Sequence, residues 1–202
     1  MLNFDLYEHG IFQFAISGSR YGCSALQLAE LSLCLRYFRN RMAAADSCGD
    51  CTGPFVALHH GDCTGVDAEA HAMSQDLGFA TICYPPIRTK NRAYTEPNDA
   101  VHPPGEYLDR NIDLVRASSV LLAAPRNING GVNPGRGGTW HAIKSAYAFG
   151  VPVWILGHWD ARTRFHDFIE NADEVVAWQG GGVYEPPARP EVEALYHPPQ
   201  KA

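Results

Sequence analysis

Three short segments gather small residues, hydroxyls and cations at spacings suited to holding an anion. They are Ser17-Gly18-Ser19-Arg20, Gly61-Asp62-Cys63-Thr64-Gly65-Val66-Asp67 and Pro134-Gly135-Arg136-Gly137-Gly138-Thr139. Each lies between an apolar run and a helix-like run, and the chemistry they suggest is phosphate recognition. Glycines let ligand oxygens approach main-chain N–H groups at a helix start, where the first turn has donors without intrahelical acceptors. Arg20 can fork onto phosphate oxygens. Thr139 can cap the next helix or donate to a phosphate. Gly61 and Gly65 permit close approach or a left-handed backbone. Asp67 has two readings of equal weight: an acidic residue favouring a helix N-terminus, or an acceptor for ribose hydroxyls. Neither a GxGxxG fingerprint nor a GxxxxGK phosphate loop is present, so neither an NAD dehydrogenase of the usual kind nor an ATPase is expected.

Other residues with chemical potential are more isolated. Arg110-Asn111 falls inside a predicted helix. Arg110 either forms surface pairs with Asp109 and Asp113, which contribute little, or faces a cleft and orients phosphate. His71 stands one turn from Asp67, but an Asp–His pair without a nucleophile is no triad. His59 and His60 point to opposite sides of a predicted strand, and at least one is expected to be structural. Tyr84, beside Pro85-Pro86, is the better candidate for stacking on a base. Trp140 and Tyr147 read as core or interface aromatics. Cys48-Gly49-Asp50-Cys51 is a lone CxxC with no second pair to complete a four-thiolate site. It reads as a polar loop, and no metal site is expected. The six cysteines lack framework spacing, which fits a reduced, cytoplasmic setting.

The elements that must position these residues alternate between strand and helix. Strands are predicted over 11–16, 55–58, 79–83, 119–124 and 151–156, the last with Pro152 tolerated near its start. Helices are predicted over 26–38, 68–77 (closed by Gly78), 106–116 and 139–149 (closed by Gly150). In the third helix Leu108, Ile112 and Val115 form one apolar stripe. The polar, proline-marked stretch 87–104 reads as a lid or insertion. A further helix over 162–171, an edge strand over 175–178 and a loosely held tail from Pro186 complete the chain. Strands apolar on both faces imply an α/β fold, a mostly parallel sheet with helices on both faces. In such sheets ligands sit beyond the strand C-terminal ends, where all three glycine loops fall.

Length and composition are consistent with this. At 202 residues with 46% apolar and 19% charged residues, the chain forms one substantial core. A net charge of −6, with 16 basic residues scattered rather than clustered, argues against broad nucleic-acid affinity. No run reaches membrane-spanning length and no apolar leader opens the chain, so neither membrane insertion nor export is expected.

Taken together, Ser17 to Arg20, His60 to Ala70, Arg110-Asn111, Gly138-Thr139 and Ala146…Gly150-Val151-Pro152-Val153 resemble the SLOG superfamily. That group includes the LOG phosphoribohydrolases and the DNA-processing Smf proteins. The resemblance runs from about Ile11 to Leu156 and is closest to the YspA/YpsA-related branch of bacterial and phage proteins. It implies a three-layer Rossmann-like domain over 1–202, with a core over 11–156, an insertion over 87–104 and a C-terminal extension over 157–202. It also implies a homodimer and a bound nucleotide or nucleotide-derived ligand, such as an ADP-ribose-like molecule or a nucleoside phosphate. Mapped residue by residue, the binding positions are Gly18, Ser19, Arg20, Gly61, Thr64, Gly65, Asp67, Arg110, Asn111, Gly135, Gly137, Gly138 and Thr139. In the phosphoribohydrolase branch a PGGxGTxxE segment and an upstream arginine cleave the N-glycosidic bond of nucleoside 5′-monophosphates. Arg110 matches that catalytic arginine, but the glutamate position holds Ala142, and a methyl group can serve neither as acid nor as base. Glu69 or Asp67 would have to substitute. Ligand binding or sensing is therefore the first expectation and phosphoribohydrolase activity the alternative. A single-stranded DNA-binding module ranks third.

Overall fold

A computed structural model describes residues 12–45, 56–126 and 137–157. Gly135, the CxxC of residues 48–51, and the helix, strand and tail expected after residue 157 lie outside the described residues. In chain order the elements are β1 (Phe12–Gly18), α1 (Ala25–Ala45), β2 (Val56–His60), α2 (Val66–Asp76) and β3 (Ala80–Cys83). They continue with β4 (Ala100–Val101), α3 (Tyr107–Arg116), β5 (Val120–Ala124), α4 (Gly138–Ala148) and β6 (Val153–Ile155). The six strands form one parallel sheet in the order β4-β3-β2-β1-β5-β6.

Local sequence accounts for the element ends. Ser24 and Gln27 form a reciprocal capping box at α1: Gln27 N–H donates to Ser24 Oγ, and Ser24 N–H donates to Gln27 Oε1. α2 and α4 both end in a Schellman motif. Gly78 (φ 73°) and Gly150 (φ 69°) take the left-handed position, and the following N–H groups reach back to Ser74 O and Ala146 O. Pro152 sits just before β6, where no ladder N–H is needed of it.

The two faces of the sheet are filled differently. On one, Phe12, Phe14 and Ile16 pack with Val56, Leu58, Val120 and Leu122 against α1 and α2. The Phe38 ring lies 4.7 Å from Phe12 and 5.2 Å from Phe14, in tilted contact. The opposite face presents Ala15, Ala57, Ala80 and Ala123 to α3 and α4. Small residues there let both helices sit close to the sheet. The sheet thus has helices on both faces, a three-layer Rossmann-like architecture.

Two expectations need correction. The stripe of Leu108, Ile112 and Val115 is wrong at its first member, because the buried side of α3 is Arg110, Asn111, Leu114 and Val115. Leu108 is exposed, since the first turn of α3 projects past the sheet edge. The 87–104 stretch also contributes more than loop: Ala100–Val101 pairs in parallel with β3 and extends the sheet by one strand.

Candidate functional site

The chain runs outward from β1 through β2 and β3 to β4, then returns to place β5 on the other side of β1. This reversal leaves a crevice beyond the C-terminal ends of β1 and β5. A cleft of about 540 Å³ opens there. The turn after β1 (Ser17 to Tyr21), the loop before α2 (Gly61, Cys63), the inner side of α3 (Arg110, Asn111) and the start of α4 (Gly137 to Trp140) all line it.

Of the predicted residues, Gly18, Ser19, Arg20, Gly61, Asp67, Arg110, Asn111, Gly137, Gly138 and Thr139 meet in this cleft. Thr64 and Gly65 do not line it. Thr64 Oγ1 donates to the Arg20 carbonyl at 3.3 Å. Gly65, at φ 84°, is wedged against the β1 turn; a Cβ there would stand 2.4 Å from Ser19 O and 2.5 Å from Gly22 N. Ser19 O in turn accepts the Val66 N–H at 3.1 Å. The start of α2 is therefore closed against the β1 turn rather than opened to a ligand.

The start of α4 is different. Gly137 (φ 105°) is its N-cap and no side chain caps it. Asn111 Nδ2 donates to Gly138 O at 3.1 Å, tying this helix end to α3. Thr139 and Trp140 follow on the cleft wall. First-turn N–H groups of α4 are thus presented at the switch-point crevice.

Arg110 is buried, and the surface-pair reading is overturned. Nη1 donates to the carbonyls of Gly61 and of Tyr84 (2.8 Å), and Nη2 points to Cys63 Sγ at 3.1 Å. Its guanidinium lies 5.0 Å above the Tyr107 ring. Asp67 is equally enclosed, its Oδ2 accepting N–H from Gly61 (3.1 Å) and Cys63 (3.2 Å). Burial raises the Asp67 carboxyl to about 6, against the lowering pull of the Arg110 charge and the Cys63 and Gly61 donors. Burial, and then the Asp67 charge, also raise the Cys63 thiol, so it is not a ready thiolate. Arg110 and Asp67 therefore clamp the β2–α2 loop from both sides.

Asp62, which the motif reading passed over, organises the 87–104 segment. Its Oδ2 accepts from Arg92 Nε at 2.5 Å, and its Oδ1 accepts from Thr95 N–H (2.9 Å) and Thr95 Oγ (3.0 Å). The Asp62 carbonyl accepts the Ala93 N–H at 2.8 Å. The segment is an insertion bolted to the β2–α2 loop. Sequence offered one signal for this, an unpaired acid in a glycine loop, but not its partner thirty residues away.

Tyr84 is not the expected base-stacking platform. It is buried, stacked on His102 at 4.0 Å and 13°, and bonded through its hydroxyl to His59 Nδ1 at 3.0 Å. His59 Nε2 meets Gln13 Oε1 at 2.7 Å. His60 accepts the Asp62 N–H on Nδ1, and its Nε2 lies 3.1 Å from Asn98 Oδ1 and 3.2 Å from His71 Nδ1. Both histidines are structural. Burial lowers His59 to about 3 and His60 to about 4, keeping them neutral. Among the aromatics, Tyr21 and Trp140 line the cleft instead, while Tyr147 is exposed on α4.

The electrostatics of the cleft are one-sided. Arg20, Arg88, Lys90, Arg110 and Arg126 line it against the single carboxylate of Asp67, although the whole chain carries −6. Sequence reasoning missed Arg88, Lys90 and Arg126, because lone cations in loops look like ordinary solvated charge. No group of acidic, histidine or cysteine side chains suited to a metal occurs among the described residues. No helix among them is long and apolar enough to cross a membrane.

No protein-family model matches the chain, and no curated protein matches it. Solved structures do share the fold. The Moco carrier protein from Chlamydomonas reinhardtii aligns with a TM-score of 0.54 at 17% identity, over 83% of this chain and 98% of that one. The molybdenum cofactor binding protein from Rippkaea orientalis gives 0.53 at 16% identity, over 80% and 86%. DNA processing protein A from Streptococcus pneumoniae gives 0.52 at 19% identity, over 76% of this chain and 52% of that chain. At these identities the likeness is one of fold.

Proposed function

We propose that this protein binds a nucleotide or nucleotide-derived ligand in the β1/β5 crevice, as a sensing or carrier domain of SLOG type. The observation that carries this reading is the start of α4, uncapped by any side chain and opening into a cleft where cations outnumber acids five to one. First-turn N–H groups and the helix dipole favour an anion there. Gly18, Ser19 and Arg20 supply the facing wall, and Tyr21 and Trp140 supply flat apolar surface for a heterocycle. The cleft volume falls in the range of small-molecule sites. Two fold neighbours named for binding or carrying the molybdenum cofactor support a carrier or binding role.

Arg110, Asp67 and Gly61 shape the loop floor in this reading, and Asn111 fixes the α4 start. Thr64 and Gly65 hold the loops together. The carboxylates that a glycosidic cleavage would need are engaged elsewhere. Asp67 is locked in the loop, Glu69 Oε2 accepts the Cys23 N–H at 2.9 Å, and Ala142 is fully buried in the core under α4.

Calorimetric titration with adenosine, AMP and the other nucleoside monophosphates tests the proposal. A phosphate-bearing ligand is expected to bind at least about tenfold more tightly than its nucleoside, one charge-assisted contact's worth. Arg20→Gln should remove most of that difference. Equal binding of nucleoside and nucleotide, or no binding by any, refutes it.

A further inference from the structure

We infer that Arg88 and Lys90 form a second anion subsite, so that the ligand is a doubly phosphorylated nucleoside rather than a monophosphate. This rests on the nucleotide reading above and specifies its ligand. Arg88 and Lys90 lie on the insertion that follows β3, while the α4 start, Arg20 and Arg126 lie at the β1 and β5 end of the cleft. β3 and β5 are three strand spacings apart, about 14 Å. One phosphate cannot meet both groups of cations, and a long Arg or Lys reaching inward brings them within range of two.

The loop carrying these cations is built, not loose. Arg92 N–H donates to Thr89 O at 3.0 Å, closing a turn with Lys90 and Asn91 at its centre. Asn91 takes φ 68°, the left-handed position that the third residue of a type II turn demands. Tyr107 Oη donates to Lys90 O at 2.7 Å, and Thr64 N–H to Asn91 O at 2.9 Å. The turn is thereby fixed to α3 and to the β2–α2 loop at once. Neither Arg88 nor Lys90 has a carboxylate partner among the described residues. Holding two such cations beside a cleft already lined by Arg20, Arg110 and Arg126 is unfavourable by mutual repulsion unless an anion enters. Tethering a loop so that it enforces that repulsion makes physical sense only for a site awaiting negative charge.

The test compares AMP with ADP, ADP-ribose and adenosine 3′,5′-bisphosphate by titration calorimetry on the full chain. At least one doubly phosphorylated ligand should bind about 10- to 100-fold more tightly than AMP, the range for one or two charge-assisted contacts. In Arg88→Gln/Lys90→Gln that ratio should fall to about threefold or less. Both side chains are exposed, and melting temperature checks that the variant folds. A second measurement needs only the wild type: affinity for the doubly phosphorylated ligand should fall more steeply with salt than affinity for AMP. The two arms with adjacent phosphates and the arm with phosphates on opposite sides of the ribose separate the two possible placements. Equal affinities for singly and doubly phosphorylated ligands, or a ratio that survives the double substitution, overturn the inference and leave the nucleotide reading standing. Failure of every ligand to bind overturns both.

Discussion

Gly65→Ala separates a packing role from a ligand-contact role at a position that sequence alone assigned to the ligand. Two costs add at this site. The first is conformational: φ 84° with ψ −126° is a region that non-glycine residues adopt only under strain, costing about 1–3 kcal/mol. The second is steric. The new Cβ would lie 2.4 to 2.6 Å from Ser19 O, Gly22 N and Arg20 C, all main-chain atoms that cannot rotate away. Overpacking of that kind adds about 1–3 kcal/mol, so the sum is about 3–5 kcal/mol. Gly78→Ala is the internal control. Its φ is 73°, yet nothing lies within 4 Å of the added methyl, so only strain of about 1–2 kcal/mol applies. Urea denaturation of both variants at neutral pH gives the two values, with unchanged m-values confirming comparable unfolding. Gly65→Ala should exceed Gly78→Ala by at least about 1.5 kcal/mol, the lower part of the overpacking range. Equal losses would refute the claim that the β1 turn is seated on the start of α2.

The remaining predictions concern charge. His59 and His60 are held neutral in the folded state, so their contribution is present above pH 6.5 and lost as pH falls. Each removes about 1.4 kcal/mol per pH unit, or about 4 kcal/mol together between pH 6.5 and 5. Asp67 runs the other way: its folded value is raised to about 6, so protonation returns about 1.4 kcal/mol between pH 6 and 5. A net loss of about 3 kcal/mol should appear in urea midpoints at pH 5; a flat profile contradicts the buried neutral histidines. Arg110→Met strands the Gly61 and Tyr84 carbonyls and leaves Asp67 without its countercharge, costing about 3–5 kcal/mol. Adding Asp67→Asn should cost less than the two single losses summed, and strict additivity would show that the groups act separately. Asp62→Ala removes the acceptor of Arg92 and Thr95 and should cost about 2–4 kcal/mol. Hydrogen exchange at Ala93 and Thr95 should accelerate with it; unaltered protection would show that the insertion is held by other means.

Which parts of this were legible in the chain follows from the range of the forces involved. β1, β2 and β5 announced themselves because both sheet faces are covered, so every position in those runs is apolar or small. The ends of α2 and α4 were legible because Gly78 and Gly150 close them through contacts within five residues. The edge strand Ala100–Val101 was not, because two residues carry no periodicity and owe their conformation to β3. Leu108 misled for a related reason: an apolar spacing marks a helix face but not how far the helix extends past the sheet.

For the site, residue type and strand-end position sufficed to indicate an anion-binding rim at Gly18, Ser19, Arg20, Gly138 and Thr139. Their chemistry is local, set by missing side chains and helix-start donors within a few residues. Tertiary structure alone decided what Arg110, Tyr84, Gly65, Arg88 and Lys90 do. A guanidinium reads the same in sequence whether it ends on a carbonyl 49 residues away, as Arg110 does on Gly61, or in solvent. The same holds for a tyrosine that finds His59 and His102, and for cations that a buried Asp62 swings over the cleft. Long-range partners exist only once the chain has closed on itself, and burial, which sets the strength of every charge involved, is a property of the closed chain.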